Sequence, residues 1–209
     1  MTEQEKSTEE IIFDAAQEVF VQKGFNGARM EEIAKEAGIN KSLLHYYYRT
    51  KEKLFSAIFS RVFSTFMPKA LDFIESDAPL FSKIEFFVNT YIDLLLKNPY
   101  IPNFIIGEIN RNPDNIAELL GNLTGITKND AFGKFAAMIK KEVEKGTIRP
   151  IEPEQLIVNM IAMCIFPFVA RPILQGIIFK NDKKQYQQFL ESRKKEVADF
   201  IIQSIKLEK

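Results

Sequence analysis

Apolar positions recur at helical spacing along most of the chain. Ile12, Ala15, Ala16, Val19 and Phe20 share one side of a first helix. Ser7 and Glu10 stand in capping-box spacing before it, and Gly24 follows Lys23 as a stop. Short periodic runs at about 30–37 and 41–48 predict two more helices, and Thr50 can cap a fourth from Lys51. In that fourth helix Leu54, Phe55, Ile58, Phe59, Val62, Phe63, Phe66 and Met67 form a wide stripe. Its first residues are expected to join an N-terminal core, and those from Phe59 to join a second body. Further helices are predicted at about 79–97, 101–110, 128–146, 153–178 and 183–206, with a loop over 121–127. Pro79, Pro99, Pro102, Pro113 and Pro153 punctuate them. Strand-like alternation is absent, so the expected fold class is all-α.

The run over residues 33–48, IAKEAGINKSLLHYYY, has the grammar of a helix-turn-helix. Ala34 lets a second helix cross closely, and Gly38 can take the left-handed geometry of a sharp turn. Ile33, Ala37, Ile39, Leu44 and, less strictly, Tyr47 occupy inward positions of two crossing helices. Asn40 can cap the second of them. This register implies DNA binding. Of Tyr46, Tyr47 and Tyr48, one or two must be buried; Tyr47 is the contact candidate and Tyr48 the core candidate.

Charge sharpens that picture. Lys+Arg and Asp+Glu both number 28, which is unusual for a DNA binder. Residues 1–53 carry eight basic and ten acidic side chains, but residues 40–53 hold Lys41, Arg49, Lys51 and Lys53 against Glu52 alone. Positive charge therefore gathers at the expected recognition surface. One histidine, His45, has no partner at metal-ligand spacing, so no metal or other cofactor is expected. It is either a structural or exposed residue or a DNA contact. No phosphate loop and no nucleophile–histidine pair marks an enzyme. Cys164 is the sole cysteine and the N-terminus lacks signal-peptide regions, so a cytoplasmic location is expected.

The segment over 24–55, GFNGARMEEIAKEAGINKSLLHYYYRTKEKLF, together with the helix before it, resembles the TetR/AcrR family of transcriptional regulators. The resemblance implies an N-terminal three-helix DNA-binding domain (1–53) and a C-terminal helical effector-binding and dimerisation domain (54–209). It implies double-stranded DNA, a second copy of the chain and a small-molecule effector as partners. Lys41, Ser42 and Leu43 would open the recognition helix in the major groove, while His45 and Tyr47 reach phosphates or base edges. A solvated surface charge is the alternative for Lys41. Lys51 would meet a phosphate at the N-terminus of the fourth helix. The family often has a Ser/Thr pair at the start of the second helix; Ala28 and Arg29 stand there instead, and Arg29 would restore a phosphate contact. A helical small-molecule carrier with a decayed DNA-binding end is the competing expectation.

In the second domain the resemblance implies an effector cavity, and the Phe- and Met-rich segments supply candidate walls: Phe63, Phe87, Tyr91, Phe104, Met138, Met163 and Phe166. Residues 156–170 are apolar except Asn159, too short for a confident membrane span and interrupted by Pro167, so no membrane partner is expected. Such a helix should be buried on two sides, one of them against a second subunit. Pro167 and Pro172 should bend it and free the carbonyls near Met163 and Phe168. Arg171 between the breaks is either an interface charge or a pocket group. The expected dimer face is Ile161, Ile165 and Phe168 with Phe189, Val197, Phe200 and Ile201 of the last helix.

Overall fold

The computed structural model describes residues 7–111, 121–122 and 130–207. Ten α-helices and one π-helical turn can be traced there, and no strand longer than a single bridge occurs among the described residues. In chain order they are α1 (Thr8–Gly27), α2 (Met30–Glu36), α3 (Lys41–Tyr47), α4 (Lys51–Glu75), α5 (Leu80–Lys97) and α6 (Ile101–Arg111). After them come α7 (Ala131–Glu144), α8 (Pro153–Val169), α9 (Arg171–Ile173) with the π turn Leu174–Ile178, and α10 (Lys183–Ile205). The loop expected over 121–127 lies mostly outside the described residues, and 121–122 are helical.

Local chemistry accounts for the helix ends. The Ser7 hydroxyl accepts from the Glu10 amide, and the Glu10 carboxylate accepts from the Ser7 amide, a complete capping box. Gly24 (φ +67°, ψ 172°) breaks α1 where the stop is expected, and a short turn continues to Gly27. The Asn40 and Thr50 side chains cap α3 and α4 by accepting from the Leu43 and Lys53 amides. Asp182 does the same for α10.

Three layers of contact position the functional parts. α1, α2 and α3 enclose Ile12, Ala16, Phe20, Ile33 and Leu44, all fully buried or nearly so, together with Leu54 and Phe55 of α4. α4 then crosses the expected domain limit without a break and packs on α5 and α7. Pro68 sits inside it, a feature the apolar periodicity hides. α5 lies against α10, and α8 is wedged among α5, α6, α7 and α10.

The expected 153–178 helix is two pieces meeting at 58° near Ala170. Pro167 removes the amide that would bond the Met163 carbonyl, and the Arg193 guanidinium of α10 takes that place at 2.7 Å. The Tyr186 hydroxyl donates to the Pro167 carbonyl at 2.6 Å. Both bonds pin α10 to the bend. Tyr186→Phe is expected to lower stability by about 1–2 kcal/mol, because a buried carbonyl loses its donor. A urea midpoint unchanged within error would remove this role. Among the described residues, no single helix is long and apolar enough to cross a membrane.

Candidate DNA-binding surface and effector cavity

The turn between α2 and α3 holds Gly38 at φ +66°, a geometry that L side chains adopt at a cost. It lets α3 lie across α2 with Leu44 fully buried beneath it. Helical spacing then fixes which residues face out. Opposite Leu44 stand Ser42 and, one turn later, Tyr46, which is 82% exposed. Lys41 and His45 border one side of this strip, Leu43 and Tyr47 the other, and all but the half-buried His45 are exposed. Tyr48 turns inward and donates to the Glu9 carboxylate at 2.5 Å. Burial and that carboxylate both push its phenol pKa up.

Lys41 and His45 on this surface have partners. Lys41 reaches back from α3 to the Glu31 carboxylate of α2, and this bond holds the Glu31 pKa below its usual range. The His45 ring contacts the Arg49 carbonyl through Nδ1 at 3.2 Å. Arg29 is exposed at the start of α2. Its amide donates to Glu32, and having no acceptor group it cannot complete a capping box. Lys51, expected at a phosphate, turns inward instead. Its ammonium donates to the carbonyls of Phe25 (2.7 Å) and Ala28 (2.9 Å), approaches that of Asn26, and lies 4.6 Å from the Phe25 ring centroid.

Farther along α4, a cavity of about 120 Å³ opens between α4, α5, α7 and α8. α4 contributes Phe63, Phe66, Met67, Ala70, Leu71 and Ile74. Facing them are Ile84, Phe87 and Tyr91 of α5, Phe135 and Met138 of α7, and Met160 and Ile161 of α8. Lys83 is the one charged side chain among the described lining residues.

Residues 12–58 match the family model described as bacterial regulatory proteins, tetR family. The chain is also 30% identical over 147 residues to the HTH-type transcriptional regulator RutR of Escherichia coli strain K12, covering 70% of this chain and 66% of that protein. The chain belongs to the TetR family. It is 22% identical to the fatty acid metabolism regulator protein of Bacillus subtilis, over 83% of this chain and 84% of that protein. The crystal structure of the transcriptional regulator FadR from Bacillus subtilis in complex with stearoyl-CoA superposes with a TM-score of 0.63 at 16% identity. That superposition covers 92% of this chain and 97% of FadR, and it shows a shared fold.

Within this TetR-family chain the structure brings Phe63, Phe87, Tyr91 and Met138 together on the cavity wall. The other four residues expected there lie elsewhere. Phe104 stacks on Phe55 at the junction of the two domains. Met163 lines a groove with Arg193 and Phe200, and Phe166 is 61% exposed. Arg171 is exposed and donates to Gln175. The expected dimer face is corrected too: Phe168, Val197 and Ile201 are buried inside the protomer, and Ile161 borders the cavity. Ile165 and Phe189 are half-buried, the latter against Phe179 and Tyr186. Phe200 remains exposed, with Val158, Ile173, Ile177 and Ile178. Tyr46 was missed, although its place four residues after Ser42 marks it as outward-facing. Cys164 is buried, which pushes its thiol up to about 12 and leaves it a packing residue.

Proposed function

We propose that this protein is a ligand-responsive transcriptional regulator that binds a palindromic operator as a homodimer. It acts in the cytoplasm as a repressor and is released when a small apolar or amphipathic effector enters the cavity. One observation carries this reading: α4 is a continuous rod whose start is buried in the helix-turn-helix core and whose far half is the cavity wall. Recognition helices of a dimer must sit about 34–36 Å apart, one turn of DNA. A ligand that tilts α4 therefore spoils simultaneous contact.

Ser42 and Tyr46 are the central groove contacts, flanked by Lys41, Leu43, His45 and Tyr47, with Arg29 at a phosphate. Lys51 positions Arg29 by holding the Ala28 carbonyl. The exposed apolar residues Phe166, Ile173, Ile177 and Phe200 pack against a second copy, a use consistent with their size and exposure. A fold shared with a regulator in complex with stearoyl-CoA supports an acyl-type effector. At about 120 Å³ the cavity is below the roughly 300–1,000 Å³ of a filled ligand site. It must widen on binding, and that difference in shape gives the effector its leverage.

Selection of retained duplexes from a random pool tests the core claim. A palindrome with half-sites one turn apart is the expected product; no enrichment would overturn the reading and leave a carrier. On the selected duplex, Lys41→Ala should weaken binding by about tenfold and relax base preference nearby. Glu31→Gln should act oppositely, since it frees Lys41 and removes a negative charge facing the duplex. Identical affinities for the wild type and both variants would remove Lys41 from the contact surface.

A further inference from the structure

Lys83, in the first turn of α5, stands where two spaces meet. On one side is the apolar cavity. On the other is a polar depression of about 390 Å³ formed by residues 75–78, by Lys141 and Glu142 of α7 and by Lys145 just past its end. Lys83 and Met138 line both. The Lys83 ammonium donates to the carbonyls of Ile74 (2.7 Å) and Ser76 (2.6 Å) at the end of α4. An ammonium has three protons, so one remains for a further acceptor. Among the described residues no carboxylate is paired with Lys83: Glu75 is held by Lys134 and Glu142 by Lys145. Asp77 is the remaining acid of the depression, and Lys141 is a further cation there, close enough to help hold the Glu142 pKa down.

We propose that Lys83 is the head-group anchor of the effector site, and that the effector is a single-chain amphiphile with an anionic head. This rests on the effector reading given above and names its chemistry. The chain fills the apolar cavity, where water has almost nothing to bond. The head accepts the third Lys83 proton at the rim, a charge-assisted bond beside low-dielectric walls. Because the same ammonium closes the last turn of α4, a head group there loads the far end of the rod that carries the recognition domain.

The anionic head can be a free carboxylate or the phosphates of an acyl-CoA. Calorimetric titration of the 209-residue protein with dodecanoate, dodecanol and lauroyl-CoA separates these sources. At least one anionic ligand should bind the wild type about tenfold or more tightly than dodecanol. A lead for dodecanoate identifies the carboxylate, and a lead for lauroyl-CoA the phosphates. Lys83→Met should erase the preference by weakening the anionic ligand far more than dodecanol, whose continued binding is the sign of an intact cavity, and Lys83→Arg should keep the preference. Equal binding of all three by the wild type, or a preference that survives Lys83→Met, overturns the anchor. If dodecanol binds without preference and still releases DNA, the effector reading stands while the anchor falls. If none binds, both fall.

Discussion

Replacing Phe55 with alanine should destabilise the protein by about 3–5 kcal/mol, the range for large aromatic deletions in a core that cannot collapse. Phe55 is fully buried and sits at the centre of an aromatic cluster. It stacks on Phe104 of α6 with ring centroids 3.7 Å apart, and meets Phe20, Phe25 and Tyr100 edge-on at 5.1–5.7 Å. Those rings come from α1, α4 and the start of α6, so the cluster is shared by both domains. Beside it, Gln17 of α1 donates to the buried Asn98, which also accepts from Tyr100. Deleting Phe55 leaves a void with no flexible neighbour able to fill it. Urea unfolding should show the loss, whereas Phe132→Ala, at a ring 49% exposed, should change little. A Phe55→Ala loss below about 1 kcal/mol would mean that the domains are not joined through these rings.

The parts of this architecture visible in the residue pattern are those that local chemistry decides. The Ser7–Glu10 box, the Asn40 and Thr50 caps and the left-handed Gly38 each depend on neighbours within a few residues. The carbonyl freed by Pro167 was legible for the same reason, because the missing bond lies four residues back at Met163. Its donor, Arg193, was not, being 30 residues away in sequence. Lys51 shows the same limit: its inward turn depends on carbonyls 23–26 residues upstream. Faces of α8 were illegible for another reason. A helix apolar nearly all round has no polar side to orient it, so Phe166 and Phe168 could not be sorted into exposed and buried. Phe104 fits a pocket by residue type alone, and only the distant rings of Phe25 and Phe55 assign it to the domain junction.

A substitution in the cavity wall of α4 should yield a regulator that stays on DNA when effector is added. Ala70 projects from α4 into the cavity and is 6% exposed. In Ala70→Leu the added carbons enter empty space, so the variant should fold with stability within about 1.5 kcal/mol of the wild type, some overpacking offset by new contacts. Its DNA affinity without effector should be unchanged, since Ala70 lies far along α4 from Leu54 and Phe55. Effector response should change greatly. In an apolar pocket one misplaced methylene shifts binding by about 10–200-fold, and three carbons occupy the space an acyl chain needs. A dodecyl-chain ligand that releases the wild type from its selected duplex should therefore leave Ala70→Leu bound at a hundredfold higher concentration, on the order of that range. Release at the wild-type concentration would show that the ligand acts from elsewhere. The cavity would then be a packing defect, and α4 would be moved by something other than its wall.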